Sequence, residues 1–138
     1  MKRFALDQGF PQPILEALRK AIREAELVWV GAIDARLSTV ADWRILHALH
    51  AHRDHWDGLI TTDQKMLQLP KVLAVLCQTK LTLVVAESAG HDPLRATGLV
   101  LAHLPGICKR TRPDAAQLWR LRTKDGPAID PWDQMRAL

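Results

Sequence analysis

The stretch Leu59-Ile60-Thr61-Thr62-Asp63-Gln64-Lys65-Met66-Leu67 joins two patterns of different period. Residues 59–62 are apolar or β-branched with no polar break, as in a strand buried on both faces. Asp63 closes that run, and 64–69 reads as a short helix stopped by Pro70. A strand that ends on a carboxylate and turns at once into a helix is the repeating unit of a parallel α/β sheet.

The same unit stands at the start of the chain. Phe4-Ala5-Leu6 is an apolar run ending at Asp7, and the turn residues Gln8-Gly9-Phe10-Pro11 follow it. Ile14, Leu15, Leu18 and Ile22 recur at helical spacing, so 13–23 is expected to pack back on the sheet. A second strand is expected over 26–30, after which Gly31-Ala32-Ile33-Asp34 leads away from its end. Ser38-Thr39 can cap a helix through 42–49, which sets Asp42 near the helix's amino end.

Beyond the central stretch, a helix is expected over 71–78 and a strand over 81–86, the most β-like run in the chain. Asp92-Pro93-Leu94 starts a long helix that is expected to close at Pro105-Gly106. The remainder suggests one helix over 115–121 and a partly mobile, Gly- and Pro-containing end. Alternating strands and helices imply right-handed crossovers. The expected fold is α/β: three layers, with an open, mainly parallel sheet and helices on both faces, in a single domain, 1–138, with 109–138 as a basic segment.

The chain has 138 residues, 48% hydrophobic and 25% charged, enough to bury a core without a disulfide or structural metal. Cys77 and Cys108 lack metal-site spacing, so both read as reduced, buried thiols. The absence of a long apolar run argues against a membrane span, and the expected location is the cytoplasm. A formal charge of +4 favours a polyanionic partner. Its cations gather late, at Lys109, Arg110, Arg112, Arg120, Arg122, Lys124 and Arg136. Lys109, Arg110 and Arg112, with Arg95, are the candidates for gripping nucleic-acid phosphate.

In open α/β sheets ligands bind outside the carboxyl ends of the strands. Asp7 and Asp63 both follow strands directly, so these two carboxylates should meet at one edge. Clusters of carboxylates suit Mg²⁺ or Mn²⁺, ions that support phosphodiester hydrolysis. Each acid also has a plainer reading as a turn former or helix cap. Thr61 and Thr62 could hold a carboxylate, a phosphate or a metal-bound water.

Phe4 to Pro11 in the order given, then the aspartate-led helix Asp42-Trp43-Arg44-Ile45-Leu46-His47-Ala48, then the strand and Thr-x-Asp of 59–67 together resemble the PIN-like proteins. The three matches cover about the first half of the chain. The resemblance implies a metal-dependent ribonuclease, typically the toxin of a bacterial VapC-like toxin–antitoxin pair, acting on RNA, silenced by a small antitoxin and often a homodimer. It implies Asp7, Asp42 and Asp63 as metal ligands. Asp34 is the choice for a fourth acid, and Thr62 for a supporting catalytic role. Gln8 stands where many of these proteins carry another acid.

Glu87, His91 and Asp92 are expected on the same rim, Asp92 chiefly as a helix cap. His47, His50, His52 and His55 lack the spacing of a metal helix. Trp43, Trp56 and Trp119 read chiefly as packing residues, although Trp119 among basic neighbours could stack on a base. Two other readings are a PIN-fold protein-binding module without activity, and a phospho-receiver domain. The receiver is disfavoured because Gln8 follows Asp7 and no lysine follows the late strand over 81–86.

Overall fold

Alternation along the strands divides the apolar residues between the two faces of one sheet. Phe4, Leu6, Ile60, Val84, Ala86, Trp119 and Leu121 pack on one side, and Ala5, Leu59, Leu83, Val85 and Leu118 on the other. The structure, a computed structural model, describes residues 1–7, 10, 12–87, 92–122 and 128–138. Its strands are β1 (Lys2–Leu6), β2 (Ala25–Trp29), β3 (Gly58–Thr61), β4 (Thr82–Ala86) and β5 (Gln117–Leu121). Its α-helices are α1 (Gln12–Ala21), α2 (Val30–Ile33), α3 (Asp42–Ala51), α4 (Pro70–Thr79), α5 (Pro93–Arg110) and α6 (Pro131–Arg136). Short 3₁₀ turns cover Ala35–Ser38 and Gln64–Gln68.

The five strands are all parallel, in the order β2-β1-β3-β4-β5. Leu15, Leu18 and Ile22 from and just after α1 join Val100, Leu104 and Ile107 of α5 on the first face. Ile45, Leu46 and Leu49 of α3 and Val72, Leu73 and Leu76 of α4 cover the second. The expected three-layer α/β architecture, with helices on both faces of a parallel sheet, is therefore present. Among the described residues no helix is long and apolar enough to cross a membrane.

Two expectations are corrected. Residues 115–121 do not form a helix, because 117–121 is the edge strand β5, paired with β4 from Thr82↔Gln117 to Ala86↔Leu121. Leu118 faces one core while Trp119 and Leu121 face the other, and that division satisfies a strand and not a helix. The helix α5 also runs through Pro105 and Gly106 to Arg110 instead of closing there. Proline removes one backbone bond, to exposed Leu101, where water can serve the carbonyl. Burial of Leu104, Ile107 and Cys108 around the proline keeps the helix on course.

The described end of the chain is attached to the body. Ile129 and Leu118 exchange backbone hydrogen bonds at 2.8 Å, and Gln134 Nε2 donates to Leu67 O at 3.1 Å. Neither thiol is bonded: Cys108 is buried and Cys77 half-buried. Burial pushes the Cys108 thiol up to about 11, with Glu24 and Asp57 adding to the effect. Burial also raises Cys77.

Gly58 opens β3 where it is flanked by Phe4 of β1 and Thr82 of β4. A Cβ there would stand 1.9 Å from the Thr82 carbonyl oxygen, a backbone atom that cannot yield without parting the central strands. Gly58→Ala should therefore lower stability by about 1–3 kcal/mol, as overpacking does. Urea unfolding checks this, with a lower midpoint expected at an unchanged slope.

Candidate active site

Strand order reverses between β1 and β3, because the chain crosses to β2 on one side and continues to β4 on the other. The carboxyl ends of β1 and β3 therefore border the crevice where open α/β sheets hold ligands. Asp7 follows β1 directly, and its N–H donates to Ile60 O of β3 at 3.1 Å. Asp7 is buried, and its side-chain Oδ2 accepts a hydrogen bond from the hydroxyl of Thr61, the last residue of β3. The same Thr61 oxygen accepts from the Asp63 N–H at 3.0 Å. One fully buried hydroxyl thus joins the two acids that end the central strands.

Asp42 comes from the opposite layer. It is the first residue of α3, behind an alanine, Ala41, whose methyl side chain cannot cap the helix. Burial raises its proton affinity above the ordinary carboxylate value, and the negative charge of Asp63 raises it further. Asp7, Asp63 and Asp42 are therefore linked in one neighbourhood, two through Thr61 and two by repulsion. Among the described residues, no three Asp, Glu, His or Cys side chains stand close enough to hold a single ion between them.

Asp63 also accepts from Lys65 N at 2.9 Å, capping the 3₁₀ turn that follows. Asp34 has the same local duty. It caps the turn Ala35–Ser38 through Arg36 N at 3.0 Å and forms an ion pair with Arg36 at 2.8 Å. The Arg36 side chain and backbone hold its carboxyl down at about 2, so Asp34 stands with Arg36 and not with the other acids. Of the two threonines it is Thr61 that contacts the acids, whereas half-buried Thr62 shows no side-chain hydrogen bond to them. Gln8 and His91 lie outside the described residues.

The phosphate-gripping candidates divide between two edges. Arg95 lies in the first turn of α5, at the carboxylate edge, where Asp92 caps the helix through Leu94 N and Arg95 N. Lys109 and Arg110 end the same helix, roughly 21 Å further along its axis. They adjoin the amino ends of the strands, where Lys2 Nζ donates to Thr111 O, and Arg112 there pairs with Asp114 at 2.9 Å. Helices that return against a parallel sheet put their last turns opposite the site, so a basic helix end cannot border it.

Other cations do border it. Arg44, Lys65 and Lys71 belong to the opening turns of α3, the 3₁₀ turn and α4, and Lys71 Nζ sits 4.1 Å over the Trp43 ring. At the ends of β4 and β5, buried Glu87 accepts from Arg120 at 2.6 Å and also pairs with Arg122. The period-two spacing of Arg120 and Arg122 about Leu121 carried that signal in the sequence. Trp119 is buried and donates to Gln117 at 3.1 Å, which settles it as a packing residue.

No protein-family model, no curated protein and no solved structure matches this chain.

Two carboxylates on this rim have opposite effects on stability. Asp42 binds its proton more tightly in the fold than in the unfolded chain, so its ionisation at neutral pH costs stability. Asp42→Asn should raise the Tm at pH 7, and the gain should shrink as pH falls into the ordinary carboxylate range. Burial would raise Glu87 likewise, but hydrogen bonds and charge from Arg120 and Arg122 outweigh it and hold the carboxyl low. Glu87→Ala should cost about 2 kcal/mol at neutral pH, because both arginines keep some access to water. That cost should fade as acid protonates Glu87 in the parent. Thermal melts across pH check both signs.

Proposed function

We propose that this protein is a divalent-metal-dependent ribonuclease of the PIN-like kind, working at the crevice between β1 and β3. The observation that carries the reading is Thr61, whose hydroxyl ties the Asp7 carboxylate to the backbone of Asp63 at the point where strand order reverses. A chain with only turn-forming acids has no need to join two of them through a buried hydroxyl. Mg²⁺ commonly takes one or two protein carboxylates and keeps several waters, so the donor set fits without a closed cage. Of Asp7, Asp42 and Asp63, one or two would hold the ion directly and the remainder would reach it through its waters. When bound, the ion offsets phosphate charge and acidifies a water for attack on phosphorus.

The chain's own groups do the rest. Asp42 and Asp63 repel each other, and a cation between α3 and β3 relieves that repulsion. Thr61 positions Asp7. Arg95, Arg44, Lys65 and Lys71 stand at helix starts around the crevice, where cations meet the phosphates of a single strand. A toxin role, restrained by a small antitoxin protein, and a homodimeric state belong to this proposal as extensions. The alternative is a protein-binding module of the same fold. The observation favouring it is that Asp34, Asp63 and Asp92 each cap a turn of their own.

Purified protein is expected to cleave single-stranded RNA with Mg²⁺ or Mn²⁺ and not after chelation. Asp7→Asn and Asp63→Asn should each lower the rate by a factor on the order of 100 or more, the scale of losing a group that acts in the transition state. Thr61→Val should lose activity and Thr61→Ser retain it, which separates a positioning hydroxyl from mere packing. Undiminished cleavage by both aspartate variants would overturn the site. A well-folded protein with no Mn²⁺ heat signal at millimolar concentration would favour the binding module.

A further inference from the structure

At the opposite edge of the sheet, the end of α3 and the residues after it fold over the amino ends of β3 and β4 and border a half-open cavity of about 340 Å³. That volume falls in the lower part of the range for small-molecule sites. Leu49, Leu81 and Pro113 supply apolar wall, and Arg53, Lys80 and Arg112 bring cations from three separate segments. His50, His52 and His55 add ring donors. The two acids in the wall are engaged locally: Asp57 takes Arg3 N at 2.8 Å and His55 Nε2 at 3.1 Å, and Asp54 faces His52 at 3.8 Å.

A second, independent observation points to a ligand. Trp56 lines the cavity and is 4% exposed, and its indole N–H finds no acceptor among the described residues. A buried donor left unpaired costs about 1–3 kcal/mol, so its persistence calls for an acceptor supplied from outside. Arg53 and Lys80 have no ion pair within 4 Å among the described residues, although Lys80 lies near enough to Asp114 to lower its proton affinity. The histidines and acids do not group as a metal site. Cations around an apolar wall, with an unserved donor behind it, suit a phosphate carried on a small, partly apolar body.

We propose that this cavity is a second ligand site, taking the terminal phosphate of a mononucleotide-sized phosphomonoester, either free or at an RNA end. It lies across the sheet from the carboxylates and does not depend on the ribonuclease reading. The phosphate would sit between Arg53 and Lys80, with Arg112 beside them keeping its pair with Asp114, and an acceptor on the ligand would reach Trp56 by a small side-chain shift.

The test titrates the full-length protein, in chelator, with adenosine 5′-monophosphate, with adenosine, and with a short 5′-phosphorylated RNA. Calorimetry and the indole resonances in proton–nitrogen spectra supply the readouts, and Trp56→Phe assigns the Trp56 signal. Saturable binding of the monophosphate but not adenosine is expected, with movement of the Trp56 resonance. The double variant Arg53→Gln, Lys80→Asn should weaken binding at least about tenfold, as loss of charge-assisted contacts does. Asparagine suits the left-handed backbone at Lys80, φ 59°, so that variant should fold. Asp63→Asn should bind as the parent does. Equal affinity for nucleotide and RNA would identify a small-molecule site, and markedly tighter RNA would identify a polymer end. No saturable binding of either up to about 10 mM, weaker than any useful affinity, or binding unchanged in the double variant, would overturn the proposal.

Discussion

Placing the first strand inside the sheet forces the chain to build in two directions. The chain must lay β2 on one flank of β1, return, and lay β3, β4 and β5 on the other. The connecting helices then lie with α1 and α5 on one face and α3 and α4 on the opposite face, the first three crossovers sharing one hand and β4–α5–β5 taking the other. The crevice beside β1 and β3 is a result of that turn-back, and every acid of the candidate site reaches it from an element the reversal has placed. Gly58 makes the arrangement possible from the other end of β3, because only a residue without Cβ lets the β4 backbone come so near.

The crevice is also where the fold tolerates unfavourable electrostatics. Burial and the charge of Asp63 raise the cost of ionising Asp42, while the nearby rim solves the same problem differently, burying Glu87 under two guanidinium groups. The contrast separates a carboxylate used to hold strands together from carboxylates whose charge is left to be met by something else. Coulombic attraction at the Glu87 site is spent within the protein, and at the Asp42 site it is still available.

Much of this was legible in the sequence, for particular reasons. Apolar runs ending in Asp7 and Asp63 announce parallel strands, and Asp42 at a helix start needs only the crossover rule to arrive beside them. The edge strand was hidden because Leu118, Trp119 and Leu121 satisfy a helical stripe nearly as well as a two-sided strand, and only the vacancy beside β4 decides between them. Pro105 misled because proline usually stops a helix, whereas here core packing on both sides of it is worth more than one hydrogen bond. Thr61 and Thr62 both lay at the right place, but which of them faces the acids depends on the pleat at the end of β3. The sorting of basic residues between two edges was legible in principle from helix length and direction, and Lys109, Arg110 and Arg112 belong with the far edge on that ground.

The two cysteines, one buried and one half-buried, set a limit on what this chain can do chemically. With its thiol at about 11, Cys108 is deprotonated in only about one molecule in ten thousand at neutral pH, and thiolate is the form that attacks disulfides, peroxides and alkylating reagents. Cys77, half-covered by α4 packing, is shifted the same way. Both thiols are thus shifted away from the reactive thiolate form, Cys108 by deep burial and Cys77 by partial burial.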